Sequence, residues 1–501
     1  MFAAAFVERI TNPHHSGLKL PQQKAATAGK AVKRLPPPER LIVSLWQHAG
    51  EPCSPLVQKG DRVIRGQKIG EARGLGAPVH APICGRVVAV EPRLHPSGLW
   101  IPAVVIENDG RDSFLPLDRS FLGDGGSPEE MNPEGIRRLA REAGLVGMGG
   151  GLFPSYVKLT PRDDPRPDFL ILNGCECEPY LTCDHRLMVE ETPTLLWGAR
   201  AMKRALGVSR VVIAIEDNKP DAIALLRQMV RGLPGFEVRV LPSLYPQGAE
   251  RTLVRTITGR VVPRRGLPAD VGVVVHNVAT ASALGRALLT GEPLLQRIVT
   301  VDGDAVAEPA NYWVPIGLPV RELLKAAGVD ESALRQVILG GPMMGTAVAD
   351  LDVPVLKGCG GVLAFTARAS PVDEAGPCLR CGRCLDACPQ GLAPFQLARL
   401  VAAGRLDQAV TWGLADCVEC GSCAYSCPSR RPLVQYLRMG KAAWREHPRP
   451  AVRTTLPGTP PTGQLGAVSN GIPGAQPRAL PDRGTSEPVN QEQEVIPQGA
   501  A

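Results

Sequence analysis

The chain has 501 residues, too many for a single core, and at roughly 150 residues per domain it suggests about three or four domains. Hydrophobic residues make up 44% and aromatic residues only 4%, so the cores should be built from Val, Leu, Ile and Ala. The net charge of +7 is largely local: residues 1–40 hold seven Lys or Arg against Glu8 and Glu39, a basic arm suited to solvent or to an anionic surface, and nothing in the pattern favours nucleic acid. No run approaches the roughly 18 consecutive apolar residues of a transmembrane span. The start, MFAAAFVERITNPHH, has a short apolar run with no basic residues before it and does not read as a signal peptide.

Residues 41–110 alternate Val- and Ile-rich runs with turns: LIVSLW, KGDRVIRGQKIGEA, GAPVHAPICGRVVAVEP and AVVIEN. This predicts a small all-β module. Its "KGD-x-V-x-x-GQ-x-I" and "APxxGxV" phrases resemble the biotinyl/lipoyl-carrier type of barrel-sandwich hybrid. No lysine lies between Gly70 and Val87, so an attached cofactor is not expected, and the module reads as structural or as a contact surface. After a Gly/Pro/Ser linker, NPEGIRRLAREAG predicts a helix capped by Asn132, opened by Pro133 and stopped at Gly144.

The helix runs into LVGMGGGLFPSYVKL. Gly147, Gly149, Gly150 and Gly151 leave backbone N–H groups bare for a phosphate or a flat ring. Leu152 stands where a dinucleotide fingerprint has its third glycine, and there is no P-loop lysine, so by itself the run is equally a flexible turn. From residue 168 to 290, strand and helix patterns alternate, beginning with DFLILNG, and predict a mostly parallel α/β domain. Glu176, Glu178, Asp184 and His185 follow the first strand end, where such sheets place ligands. Cys175, Cys177 and Cys183 match no familiar metal spacing and read as packing residues, which leaves Glu178 as the better candidate for a functional role. Residues 291–365 read as a small β-grasp-type module, with Cys359 a packing residue.

Two strict cysteine runs follow. Cys378, Cys381, Cys384 and Cys388 with Pro389, then Cys417, Cys420, Cys423 and Cys427 with Pro428, each spell C-x2-C-x2-C-x3-C-P. Structural zinc or disulfides are the bland alternatives, but zinc sites rarely carry this repeated pattern with its proline. Two [4Fe–4S] clusters are expected, and in two-cluster ferredoxins the fourth Cys of each run serves the other cluster. That rule groups Cys378, Cys381, Cys384 and Cys427, and separately Cys417, Cys420, Cys423 and Cys388. The apolar spacing of PFQLARLVAAGRLDQAVTWGL between the runs predicts a helical domain over 370–445. Cluster ligation needs reduced thiolates and so points to the cytoplasm. The tail, 446–501, is rich in proline, has no aromatic residue or cysteine beyond His447, and is expected to be disordered.

The phrases GMGGGLFPSYVK, LNGCECEPY, YPQGAERTL and HNVAT resemble the flavin- and NADH-binding domain of the 51-kDa subunit of respiratory complex I. With the sandwich module before it and the β-grasp (SLBB-like) and double-cluster domains after it, residues 13–445 resemble the C subunits of the Rnf (Rsx) electron-transport complexes. The resemblance implies a multidomain α/β protein with the flavin/NADH domain at 130–290. It further implies an ion-translocating, NAD-linked oxidoreductase subunit. Such a subunit sits peripherally on the cytoplasmic face of a bacterial inner membrane through its membrane and peripheral partner subunits, and exchanges electrons indirectly with ferredoxin or flavodoxin. FMN and NAD(H) join the two [4Fe–4S] clusters as expected cofactors. Gly147, Gly149, Gly150, Gly151 and Lys158 fall where relatives wrap FMN, and Asn173, Asn277 and Thr280 match flavin contacts. Tyr245, Gly248 and Glu250 match a loop beside the flavin and nicotinamide rings, and Phe153 and Glu178 positions near the NADH rings and ribose. Glu176 belongs to the same cofactor-binding set. The sequence departs from those relatives at Cys175, Ala249 and Ala279. No general acid or base is required for hydride transfer, and no catalytic side chain is assigned. Two alternatives stand beside this reading: a soluble cobalamin-reductase-like flavoprotein, which shares the architecture, and, from the departures at Cys175, Ala249 and Ala279, an iron–sulfur carrier or scaffold whose α/β domain has lost its nucleotide.

Overall fold

The computed structural model describes residues 17–446, apart from Asp124 and 371–373. The apolar start and the tail beyond Glu446 lie outside the described residues.

At the centre is a four-stranded parallel sheet. Its order is Phe236–Leu241, Arg210–Glu216, Phe169–Gly174, Val273–Asn277. The middle strands are nearly continuous runs of Val, Ile and Leu because helices cover both faces. Those helices are the ones whose periodicity is visible in the sequence: Thr192–Leu206, Pro220–Met229, Glu250–Thr258 and Val278–Thr290. Chain order runs outward from Phe169–Gly174 through two strands, then returns to its other side with Val273–Asn277. The strand order therefore reverses between Phe169–Gly174 and Val273–Asn277, the switch point beyond whose carboxyl ends open α/β sheets form their ligand crevice.

Helices Thr192–Leu206 and Val278–Thr290 cross with their backbones in contact. A Cβ at Gly198 would stand 1.8 Å from the Ala281 carbonyl oxygen, and one at Gly285 would stand 1.9 Å from that of Thr194. Only glycine allows this approach, which seats the amino end of Val278–Thr290 at the crevice. The preceding helix, Pro133–Glu142, has the predicted cap: Asn132 Oδ1 accepts from Glu134 N at 3.0 Å.

The N-terminal β module has two antiparallel sheets, with Arg40–Ser44, Trp100–Asn108, Gly85–Leu94 and Arg62–Val63 in one and three short strands in the other. Its core is continuous with that of a six-stranded mixed sheet built mainly from residues 296–365. Leu41, Val43 and Ile106 of the first pack in the same cluster as Val299, Val314 and Val362 of the second. Lys357 pins the junction: its buried Nζ donates to the carbonyls of Pro78 and Gly144, both at 2.8 Å. The cysteine domain is helical, with Pro394–Ala402 and Leu433–Glu446 packed around its core.

The basic segment departs from the picture of a free arm. Lys33–Arg34 is the edge strand of the six-stranded sheet, parallel to Ala310–Pro315. Leu18 bridges Tyr245, and Thr27 is fully buried. The reason is that its polar groups find partners on both the α/β domain and the six-stranded sheet, which no charge count reveals.

Gly198→Ala tests the helix contact. The substitution gains about 1 kcal/mol of helix propensity, but overpacking a backbone contact should cost about 3 kcal/mol. Denaturant unfolding should show the net loss, and a variant as stable as the parent would mean the helices are not in contact.

Candidate functional site

Asn173 and Asn277 stand side by side in register at the carboxyl ends of the two strands that flank the crevice. Asn173 Oδ1 accepts from Cys175 N at 3.0 Å and its Nδ2 donates to Gly248 O at 2.8 Å, which ties the YPQGAE loop to the strand end. Gly248 has no room for a side chain, since a Cβ would lie 2.5 Å from Cys175 O. Asn277 caps its helix through Ala279 N at 2.8 Å and donates Nδ2 to Asp184 at 2.7 Å. Burial, with Glu176 beside it, holds the Asp184 carboxyl above its ordinary range.

The glycine run lies over this crevice. Gly147 N donates to Phe153 O at 2.8 Å and closes the loop, while Gly150 adopts φ +98°. A Cβ at Gly149 would press on Asn277 at 3.4 Å, and at Gly150 and Gly151 it would meet open space. Thr280 Oγ1 accepts from Met148 N at 3.0 Å, anchoring the loop to the helix. Lys158 pairs with Glu250 at 2.7 Å on the same side. Open backbone N–H groups, two side-chain amides and an ammonium form a donor set that fits an anionic, flat, polar cofactor such as FMN.

The segment after Phe169–Gly174 carries the two glutamates singled out in the sequence, and each has a partner. The Glu176 carboxylate turns inward to cap helix Cys183–Glu190, accepting from Asp184 N at 2.8 Å and His185 N at 3.3 Å. Glu176, Cys183 and Asp184 offer ligand atoms within 4.8 Å of one another, but both carboxylates already accept these N–H and amide donors. Glu178 meets the β-grasp module: its two carboxylate oxygens accept from Met343 N at 3.0 Å and Met344 N at 2.8 Å. Burial pushes this carboxyl up to about 7, against the pull of those two N–H groups. Gly341 must be glycine here, because a Cβ would lie 2.3 Å from the Glu178 carboxylate. The family resemblance puts Glu178 near the NADH rings and ribose. It could not foresee that a loop 165 residues later would cover the carboxylate.

None of the 14 cysteines is in a disulfide. Burial raises the Cys384 thiol, and Cys378 and Cys427 add to the rise. Burial likewise pushes Cys388 up to about 12, with Cys417 and Cys420 contributing, and Cys423 rises by burial and by Cys388, Cys417 and Cys420. The fourth cysteine of each run thus sits among the cysteines of the other. Thiolates gathered in this way repel one another unless cations bind them, and this donor set fits iron–sulfur clusters. Cys388, Cys420 and Cys423 are buried, while Cys378 and Cys381 are exposed. The second set is therefore the inner one.

Several contacts around the inner set were not apparent from the sequence. Tyr245 OH donates to Cys420 O at 2.6 Å, so the loop tied to Asn173 also touches a cluster cysteine. Leu20, Cys177 and Met343 pack in the same small cluster as Tyr245 and Cys420. Lys441 Nζ donates to Cys417 O at 2.9 Å. Only the aromatic in YPQGAE offered any signal beforehand.

Comparison with known proteins divides the chain in the same way. Residues 13–111 match the RnfC barrel-sandwich hybrid domain, 140–286 the Nuo51 FMN-binding domain, 298–347 the SLBB domain and 377–430 the 4Fe-4S dicluster domain. The C subunit of the ion-translocating oxidoreductase complex of Rhodobacter capsulatus is 46% identical over 430 residues, 85% of this chain and 82% of that one. The C subunit of the Na(+)-translocating ferredoxin:NAD(+) oxidoreductase complex of Acetobacterium woodii is 41% identical, over 85% of this chain and 95% of its own length. The proton-translocating counterpart of Clostridium ljungdahlii is also 41% identical, over 85% and 93%. No helix among the described residues is long and apolar enough to cross a membrane. With four matched domains in one order and close identity over most of its length, the chain belongs to the family of C subunits of the Rnf-type ion-translocating oxidoreductase complexes.

Proposed function

We propose that this chain is the NAD-linked electron-transfer subunit of a membrane-bound, ion-translocating ferredoxin:NAD oxidoreductase, attached to the cytoplasmic face through its partner subunits. The observation that carries the reading is Tyr245. Its loop is fixed to Asn173 in the crevice through Gly248, and its hydroxyl holds the Cys420 carbonyl of the inner cysteine set. A flavin, when bound, supplies the conversion between two-electron hydride transfer and the single electrons that clusters carry.

The protein's part is placement. Gly149, Gly150 and Gly151 offer backbone N–H groups, and Lys158 offers positive charge, for the phosphate-bearing end of FMN. Asn173, Asn277 and Thr280 hold the two strand ends and the helix that shape the crevice. Phe153 and Glu250 flank it, and Glu176 fixes the helix that carries Asp184. Cys417, Cys420, Cys423 and Cys388 would bind the inner cluster. Cys378, Cys381, Cys384 and Cys427 would bind the outer one, whose exposed Cys378 and Cys381 face partner subunits. We assign Glu178 to joining the turn beside the crevice to the β-grasp loop that packs on the cysteine domain, since its carboxylate is engaged by Met343 and Met344 and Met343 O lies against Gly421.

Anaerobically purified protein should show flavin bands and about eight irons per chain, and NADH should bleach the flavin. Iron without flavin would overturn the reading in favour of a carrier. Cys388→Ser should remove the inner cluster's reduced signal in electron paramagnetic resonance and leave the outer one. Loss of the outer signal instead would refute the crossed ligation. Glu178→Ala should leave NADH-driven flavin bleaching near the parent rate but slow cluster reduction by about tenfold or more, as misplacement does. Slowed bleaching would return Glu178 to a nicotinamide contact.

A further inference from the structure

The segment after residue 17 crosses the carboxyl edge of the parallel sheet as a strap. Leu18 and Tyr245 exchange backbone hydrogen bonds at 2.7 and 2.8 Å. Tyr180 N donates to Gln22 O at 2.9 Å, and Thr27 and Thr182 share a hydroxyl hydrogen bond at 2.7 Å. Between these anchors Lys24 Nζ donates to three backbone carbonyls: Glu176 and Glu178, each at 2.8 Å, and Leu181. Residues 175–182 form neither strand nor helix, so no ladder satisfies those carbonyls. An ammonium has three donors and meets three acceptors here. Glu176, Glu216, Lys219 and Cys177 are the charged or titratable groups that surround it.

We propose that Lys24 is a positioning residue whose ammonium fixes the turn at 175–181, and that through this turn it holds the nucleotide crevice and the inner cysteine set in one geometry. The proposal rests on the function proposed above. Two branches leave the turn. One runs from the Glu176 carboxylate to the amino end of Cys183–Glu190, then from Asp184 to Asn277. The other runs from the Glu178 carboxylate to Met343 and Met344, and Met343 O lies against Gly421, where a Cβ would be 2.7 Å away. Lys24 gives its three donors to backbone carbonyls, none of them from a cluster cysteine. It acts as a tethered cation in a cage of carbonyls, so truncating the side chain leaves a hole that a small alkylammonium fits.

The test uses the full chain with its cofactors, purified anaerobically, as parent, Lys24→Ala and Lys24→Gln, with and without methylammonium. Amide exchange over 175–181 and 341–345 should rise about tenfold or more in Lys24→Ala while the central strands stay protected. Methylammonium should reverse most of that rise, and Lys24→Gln, which keeps two donors, should fall between. In the same samples NADH-driven cluster reduction should slow more than flavin bleaching, and recover with methylammonium. Unchanged exchange, exchange raised equally over the whole chain, or a defect that methylammonium does not touch would overturn the proposal. If Lys24→Ala does not fold, Lys24→Gln carries the same comparison. Should the parent show no bleaching by NADH, the functional reading fails, while the exchange measurement still decides the role of Lys24 in the turn.

Discussion

The carbonyls of Glu176, Glu178 and Leu181, in the turn between Phe169–Gly174 and Cys183–Glu190, need partners, and no sheet ladder or helix supplies them. The rest of the site depends on how that need is met. Lys24 takes three of the carbonyls, and Gln22 takes the N–H of Tyr180. With the backbone satisfied from one side, the side chains of Glu176 and Glu178 are free to act as acceptors on opposite sides. One caps a helix of the nucleotide crevice, and the other takes two N–H groups from the β-grasp loop. A single turn thereby ties together elements that lie far apart in the chain.

The YPQGAE loop works in the same way. Gly248 approaches Cys175 closely enough that only glycine fits, and Asn173 holds its carbonyl. The loop then presents Tyr245 to Cys420. Distance governs electron transfer, so a rigid contact between a crevice wall and a cluster cysteine is what an outlet path requires. Burial divides the cysteines accordingly: the inner set is enclosed against the α/β domain, and Cys378 and Cys381 remain at the surface. The β modules have a different part. Their shared core, pinned by Lys357, gives the loop at 341–345 a stiff base from which to grip Glu178.

Much of this was legible beforehand because its signals are local. The Val- and Ile-rich runs after residue 168 had to be buried strands, the helices between them showed in their residue pattern, and the helix before them in its cap and glycine stop. The spacing of the eight clustered cysteines carried its chemistry whatever the fold, since ligand geometry is set over a few residues. The bare backbone at Gly149–Gly151 was likewise readable from residue type. The close crossing at Gly198 and Gly285 was not, because a glycine within a helix pattern does not say which backbone approaches it.

Short-range geometry and residue chemistry were thus enough to specify the elements, the two cluster motifs and the glycine loop. The partners of the polar groups came from the closed fold. It put the Lys24 ammonium inside a carbonyl cage rather than in solvent, paired Glu178 with Met343 and Met344, and set Tyr245 against Cys420. Each of these is a hydrogen bond between residues more than 150 positions apart. A charge or a hydroxyl in a sequence states only what it can donate or accept. Which group meets it depends on how the chain closes over long loops, and that is settled by packing of the whole molecule.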